Sequence, residues 1–202
     1  MEFIIRSEEV INYCNYSYIM EYLPTRYEAN TEQRMARQEV YHFKDGMCSQ
    51  HIKDSFCEKI REKVGSNCQN WVALFIPASN ETKTILRYES LACYISSLTG
   101  VKTTLDGIKT NANNVPVHEG GEGRFEDRTN QYTFDSSIFR GKKVILIDDV
   151  FTSGSSFKNC ARSLIENGAQ SVDGLFVAKT INPDWYGCPK GNYCVVRTME
   201  RI

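Results

Sequence analysis

The sequence predicts an α/β fold: an open, mostly parallel, twisted sheet with helices on both of its faces. Two unbroken apolar runs, at residues 71–76 and 144–147, are typical of strands buried on both faces, and a further strand is predicted at 172–178. Segments with the apolar spacing of helices separate these runs, and a glycine closes each segment. Strands and helices that alternate in this way predict a parallel sheet with crossover helices.

The N-terminal segment is the part that the pattern does not assign. Residues 1–45 are polar and rich in tyrosine, with weak periodicity, and we interpret them as a small N-terminal lobe of uncertain structure. Residues 46–202 form the predicted α/β domain. A chain of 202 residues suits one domain with a small accessory lobe.

The first helix and strand of this domain follow from local spacing. Residues 49–64 carry apolar side chains four residues apart, which define one face of an amphipathic helix: Ile52, Phe56, Ile60 and Val64. Gly65 ends this helix, and the strand at 71–76 ends at Pro77.

A second helix is predicted at 84–99, closed by Gly100, and a strand at 101–105. The apolar face of this helix is predicted to comprise Ile85, Leu91, Ala92, Ile95 and Leu98. Downstream, the pattern predicts a strand at 142–147, a helix at 156–167 closed by Gly168, and strands at 172–178 and 193–197.

The stretch 106–131 is polar, contains four glycines and has almost no apolar periodicity. Loops longer than about 12–15 residues are uncommon in compact domains and are often lids or binding loops. We therefore predict a flexible loop that closes over a ligand. A disordered insertion without a role is the alternative.

Composition bears on partners and location. The formal net charge of −1 disfavours non-specific binding to nucleic acid or to anionic membranes, although a local basic patch stays open. No apolar run approaches the roughly 20 residues that cross a bilayer, and residues 1–6 are too short and too acidic for a signal peptide. The expected location is the cytoplasm, with no membrane partner.

Eight cysteines are scattered along the chain without a C-x-x-C pair, and only three histidines accompany them. Metal cages usually need closely spaced ligand pairs, so reduced thiols are the main interpretation. A zinc site assembled from distant cysteines is the alternative.

The motif that carries chemistry is V-I-L-I-D-D-V-F-T-S-G-S-S at residues 144–156. Ligands of open parallel sheets bind beyond the carboxyl ends of the strands, which is where Asp148 and Asp149 stand. Two adjacent acceptors suit the vicinal hydroxyls of a ribose. The hydroxyl-rich loop 152–156 opens a helix, whose N-terminus attracts anions. The motif therefore predicts a ribose 5-phosphate site, and an ordinary strand, turn and N-cap is the alternative.

This motif resembles the phosphoribosyl-pyrophosphate signature of type I phosphoribosyltransferases, with Ser153 and Ser156 where threonine is commoner. Further stretches are similar to the ComF-like branch of that family: Tyr41–Gly46, Ile76–Asn80, Arg87–Ala92, Ile108–Thr110 and Gly168–Val172. Many ComF-like proteins begin with a paired-cysteine zinc ribbon, which this chain lacks. Its first forty residues therefore cannot be interpreted from the family.

The resemblance implies a reaction in which a nitrogenous base displaces pyrophosphate from phosphoribosyl pyrophosphate. Mg²⁺ is the expected cofactor, held mainly by the substrate, with Asp148 and Asp149 as the protein side chains that would reach it. The loop cations Lys109 and Arg124 complete the candidate catalytic set. The ribose 5-phosphate set comprises Asp148, Asp149, Val150, Phe151, Thr152, Ser153, Gly154, Ser155 and Ser156.

Two further sets follow. The pyrophosphate set comprises Ala78, Ser79, Asn80, Lys83, Arg87 and Lys44, with solvated surface charge as the alternative for the cations. The family also implies a cis peptide at Ala78–Ser79. The base-binding set comprises Lys179, Trp185 and Tyr186, for which a surface lysine and an anchoring aromatic pair are the alternatives.

Three functions therefore stay open at the level of sequence. The first is a phosphoribosyltransferase with an unidentified acceptor base, and the second is a sensor that binds a phosphoribosyl ligand without catalysis. The third is a ComF-like accessory protein in DNA uptake or processing. A homodimer is an open alternative to a monomer.

Overall fold

The computed structural model describes residues 2–7, 10–111 and 131–183. Its strands are β1 (Glu2–Ser7), β2 (Val10–Tyr22), β3 (Trp71–Phe75), β4 (Lys102–Thr103), β5 (Ile108–Thr110), β6 (Tyr132–Phe134), β7 (Lys143–Phe151) and β8 (Ser171–Thr180). Its helices are α1 (Thr31–Lys44), α2 (Gln50–Val64), α3 (Glu81–Thr99), α4 (Ser136–Phe139) and α5 (Ser155–Glu166), with a 3₁₀ turn at Cys68–Asn70.

The main sheet has the strand order β1-β2-β8-β7-β3-β4. β2, β8, β7, β3 and β4 run parallel to one another, and β1 joins the edge as an antiparallel partner of β2. The predicted α/β class with a mostly parallel sheet is therefore confirmed.

Helices cover both faces of the sheet, and side-chain alternation along the strands explains how. In β7, Ile145 and Ile147 pack with α1, α2 and α3, whereas Val144 and Leu146 pack with α4 and α5. β3 alternates in the same way, as expected of a strand buried on both faces. The core thus consists of two apolar layers separated by the sheet.

The N-terminal segment differs from the sequence interpretation. β2 lies in the main sheet, paired with β8 in register from Tyr16 opposite Gly174 to Tyr22 opposite Thr180. α1 follows with an Asn30 capping box and buries Val40 and Phe43 in the apolar layer that α1, α2 and α3 form on one face of the sheet, called the α1–α3 layer below. Residues 10–44 are thus part of the α/β architecture.

α2 confirms its prediction: all four predicted face residues are buried, and Gly65 ends the helix with a φ of 58°. α3 begins at Glu81, three residues before the predicted start. Leu91, Ala92 and Ile95 are buried as predicted, but Ile85 and Leu98 are exposed. Tyr88 is buried on this face instead, since α3 packs against α2 and the sheet along the line through residues 88, 91, 92 and 95.

The segment 101–111 contains two short strands rather than one. β4 covers only Lys102–Thr103 of the predicted strand at 101–105. β5 and β6 then form an antiparallel ribbon of their own, with Ile108 opposite Phe134 and Thr110 opposite Tyr132. Residues 112–130 of the predicted flexible loop, and the predicted strand at 193–197, lie outside the described residues.

β7 is longer than predicted and includes the two acids, because its ladder with β8 continues to Phe151 opposite Lys179.

Six cysteines of the described ranges are free thiols, and no group of three metal-ligating side chains occurs in these ranges. No helix in the described part of the chain is both long and apolar enough to span a membrane.

Candidate functional site

Asp148 and Asp149 lie toward the carboxyl end of β7, within its last four residues, and β7 lies between β8 and β3 in the sheet. Val144–Ile147 anchor the strand in both apolar layers, and the two carboxylates emerge where this burial ends. Both residues are half-buried rather than enclosed in the core. This is the edge at which open parallel sheets bind ligands.

Asp149 is held by two cations from other elements. Arg87 Nη1 of α3 donates to Asp149 Oδ2 at 2.7 Å, and Lys44 Nζ, at the end of α1, lies 3.9 Å from the same oxygen. The side chains of Arg87 and Asp149 are only 14% and 13% exposed. Three residues predicted for the site from distant parts of the sequence therefore meet.

Asp148 has a different environment. Its Oδ1 accepts hydrogen bonds from the Tyr88 hydroxyl at 3.1 Å and from the Asp149 N–H at 2.8 Å. Burial, followed by the neighbouring negative charge of Asp149, raises the pKa of Asp148 to about 7. Asp148 therefore titrates near neutrality.

Tyr88 is a site residue that the sequence analysis did not assign. Its ring is fully buried between Phe75 and Phe43, with centroid distances of 4.9 and 5.9 Å. Only its hydroxyl reaches the acids. Helical spacing with Leu91 and Ala92 could have shown that Tyr88 faces the core, but not that its hydroxyl meets Asp148.

The loop after β7 surrounds a pocket of about 110 Å³, lined by Asp148, Val150–Phe157 and Phe176. Gly154 is the N-cap of α5; it has the left-handed conformation, with φ 74°, and offers no side chain to cap the helix. The Ser155 N–H donates a long hydrogen bond to Ser153 Oγ at 3.4 Å. Nearby hydroxyls are mutually bonded: Ser153 Oγ lies 2.9 Å from Ser155 Oγ, and Thr152 Oγ1 lies 3.2 Å from Thr180 Oγ1. An uncapped helix N-terminus beside a polar pocket can accept an anion.

The side chain of Phe151 packs against the backbone of this loop at Gly154. Its ring is 5% exposed and stacks on Tyr16 with a centroid distance of 4.1 Å. A Cβ on Gly154 would lie 2.5 Å from Phe151 Cζ, so the backbone passes directly over the ring. The predicted contact of Phe151 with ribose 5-phosphate is therefore limited to its backbone, because its side chain belongs to the core.

Much of the predicted pyrophosphate loop belongs to the start of α3, which begins at Glu81 with Asn80 as its N-cap. The Ala78 N–H donates to Thr84 Oγ1 at 3.0 Å, and Asn80 Oδ1 caps the helix by accepting from the Lys83 N–H at 2.9 Å. The Ala78–Ser79 peptide is trans, contrary to the family pattern. Ser79, Asn80 and Lys83 are exposed, but Asn80 is engaged in capping α3, and Ala78 is buried.

Lys44 reaches the site because the chain after α1 lies against α3. Arg87 Nε donates to the Lys44 carbonyl at 3.4 Å. A Cβ on Gly46 would lie 2.5 Å from the Leu86 carbonyl oxygen, so only glycine permits this approach.

Two further candidates, Lys109 and Lys179, lie in the described part of the chain. Lys109, on β5, is exposed and pairs with Asp106 at 3.0 Å, and this hydrogen bond raises its pKa. Lys179 Nζ lies 5.8 and 5.6 Å from the ring centroids of Tyr16 and Tyr18. Arg124, Trp185 and Tyr186 lie outside the described residues.

No protein-family model and no curated protein matches this chain. Solved structures similar to it include a hypoxanthine phosphoribosyltransferase from Staphylococcus aureus, with 12% identity, a TM-score of 0.44, and coverage of 70% of this chain and 74% of that one. An adenine phosphoribosyltransferase from Saccharomyces cerevisiae shows 19% identity and a TM-score of 0.43, with coverage of 64% and 67%. A phosphoribosylpyrophosphate synthetase from Mycobacterium smegmatis shows 18% identity and a TM-score of 0.41, with coverage of 65% and 34%.

The chain spans about a quarter of the length of another similar structure, an allosteric regulatory enzyme of purine biosynthesis, and about a third of the synthetase. Because the TM-scores and identities are low, these likenesses do not bear on the function of this chain. The contacts of Asp148 and Asp149 and the pocket after β7 indicate what the site can bind.

Proposed function

We propose that this protein binds phosphoribosyl pyrophosphate at the end of β7 and transfers ribose 5-phosphate to a nitrogenous base, with release of pyrophosphate. One observation carries the proposal: Asp148 at the strand end opens onto the pocket formed by residues 150–157 at the uncapped start of α5. A sugar diol and a phosphate are two groups of one ligand that fit this arrangement.

The 5-phosphate would lie in that pocket. Free N–H groups and the helix macrodipole favour an anion at the start of α5. The hydroxyls of Thr152, Ser153 and Ser155 bond to neighbouring hydroxyls and can redirect their hydrogens toward phosphate oxygens. Gly154 brings the backbone close without a side chain in the way.

The pyrophosphate would lie toward Arg87 and Lys44. These two cations already face the site from α3 and α1, and Asp149 orients Arg87 through its 2.7 Å hydrogen bond. As the C–O bond to pyrophosphate breaks and the base nitrogen bonds to the anomeric carbon, the electron pair leaves with pyrophosphate. Fixed cations stabilise that developing charge, and the base nitrogen releases its proton to solvent.

Mg²⁺ carried by the substrate fits the donor chemistry, because carboxylate oxygens at Asp148 and Asp149 are hard ligands. In the described ranges no third carboxylate or histidine completes a protein-held site. When bound, the ion would neutralise phosphate charge.

The ComF-like assignment, the cytoplasmic location, the acceptor base and closure of the loop at 106–131 stay predictions from sequence. The β5–β6 ribbon stands at the two ends of that loop.

The test is a pyrophosphate-release assay with the full chain, Mg²⁺, phosphoribosyl pyrophosphate and a panel of nitrogenous bases. We expect release that depends on one base and is lost in Asp149→Asn. Asp54→Asn, an exposed acid on α2, is the control and should keep the activity. Tight binding without release for any base would refute the transferase and favour a sensor.

A further inference from the structure

Two consecutive residues of α3 hold the two consecutive acids of β7. Arg87 donates to Asp149, and the next residue, Tyr88, donates to Asp148. The acids are nevertheless held differently, because one partner is a cation and the other is a neutral hydroxyl.

The four carboxylate oxygens differ in what remains available to a ligand. Asp149 Oδ1 accepts from the Val150 N–H at 2.6 Å, and Asp149 Oδ2 accepts from Arg87. Asp148 Oδ1 accepts from Tyr88 and from the Asp149 N–H. Asp148 Oδ2 is left without a hydrogen-bond donor from the part of the chain that the structure describes, and Asp148 lines the pocket.

From this arrangement we propose that Tyr88 is a positioning residue: it fixes one oxygen of Asp148 so that Oδ2 faces the sugar, and thereby sets a preference for ribosyl over 2-deoxyribosyl ligands. The inference rests on the proposed function, because it requires the sugar to bind at Asp148.

Tyr88 is suited to this role because its ring is enclosed by other aromatic rings. Its ring is fully buried and packed between Phe43 and Phe75, so the direction of its hydroxyl is set by the core of the α1–α3 layer. The terminal torsion of an aspartate is otherwise broad. Without the hydroxyl, the Asp148 carboxylate loses the side-chain donor that selects one orientation.

A sugar hydroxyl that donates to the ionised carboxylate of Asp148 makes a charge-assisted hydrogen bond, which is worth more than a neutral one. A 2-deoxyribosyl ligand lacks one of the two donors. We therefore expect the wild-type protein to prefer ribose 5-phosphate over 2-deoxyribose 5-phosphate by about tenfold or more. We expect Tyr88→Phe to lose most of this preference.

The experiment is calorimetric titration of the full chain with ribose 5-phosphate, 2-deoxyribose 5-phosphate and inorganic phosphate. Tyr88→Phe removes only the hydroxyl and keeps the buried ring. Tyr94→Phe is the matched control, since Tyr94 lies on the same helix and donates to the exposed Asp54 at 2.6 Å. The expected result is weaker ribose 5-phosphate binding in Tyr88→Phe alone, with phosphate and deoxyribose affinities unchanged.

Each other outcome has a distinct meaning. If Tyr88→Phe keeps the wild-type preference, or weakens all three ligands equally, the positioning role is wrong and the proposed function stands. If the wild-type protein binds both sugars equally, the preference does not exist and the inference fails. If it binds none of the three ligands, the proposed function fails and the inference fails with it.

Discussion

The substitution Asp148→Asn should stabilise the protein at neutral and alkaline pH. The pKa of Asp148 is raised from its ordinary 3.8 to about 7 by burial and by the charge of Asp149. Between these values the native state binds a proton that the unfolded state has lost, so the stability of the wild type falls as pH rises. Asparagine does not ionise, and its carbonyl oxygen still accepts from the Tyr88 hydroxyl and the Asp149 N–H.

The magnitude follows from proton linkage. One proton bound only by the native state changes the free energy of unfolding by about 1.36 kcal/mol per pH unit. Over the two units from about pH 5 to about pH 7 this amounts to about 2.7 kcal/mol at most. Because Asp148 is only half-buried, we expect the stability of Asp148→Asn, relative to wild type, to increase by about 2 kcal/mol over this interval.

Urea unfolding of both proteins across this pH range measures the difference, and comparing pH values removes any constant effect of the amide on packing. Asp45→Asn, an exposed acid after α1, is the control for the loss of a carboxylate and should not show this increase. A difference between Asp148→Asn and wild type that stays constant or decreases with pH would refute the electrostatic account of the site.

Two further predictions concern the loop and the ion pair. Gly154→Ala should destabilise the protein by more than Gly141→Ala: both positions have positive φ, which costs about 1–2 kcal/mol for alanine, but a Cβ meets Phe151 only at Gly154. Urea unfolding compares the two variants, and equal losses would contradict the close approach. Arg87→Ala should lower the free energy of unfolding by about 3 kcal/mol, because it leaves the Asp149 carboxylate without its main partner. The double variant Arg87→Ala/Asp149→Asn should recover part of this lost stability. A double-mutant cycle in urea measures that coupling, and strict additivity would contradict it.

Local patterns predicted the elements whose neighbours in sequence determine their environment. The four-residue spacing of Ile52, Phe56, Ile60 and Val64 specified both α2 and its buried face. The apolar run at 144–147 identified β7, and the acids and loop after it identified the pocket at the start of α5. In these segments the apolar side chains that define the sequence pattern are also the ones that are buried in the fold.

Local patterns did not predict several contacts that depend on distant partners. β2 is a strand because β8, more than 150 residues away, supplies its parallel partner. Ile85 and Leu98 have helical spacing, but no element in the described part of the chain covers them. Asp149 meets Arg87 from 62 residues away, and no local pattern encodes that contact.

The sheet separates the core into two apolar layers. Tyr88, which donates to Asp148, belongs to the layer of α1–α3, whereas Phe151 and Phe157, which line the pocket at the start of α5, belong to the layer of α5. A single small ligand that contacts both the acids and that pocket would therefore link the two apolar layers of the core. Amide hydrogens in α3 and in α5 should then slow their exchange together when phosphoribosyl pyrophosphate binds, although the two helices lie on opposite sides of the sheet.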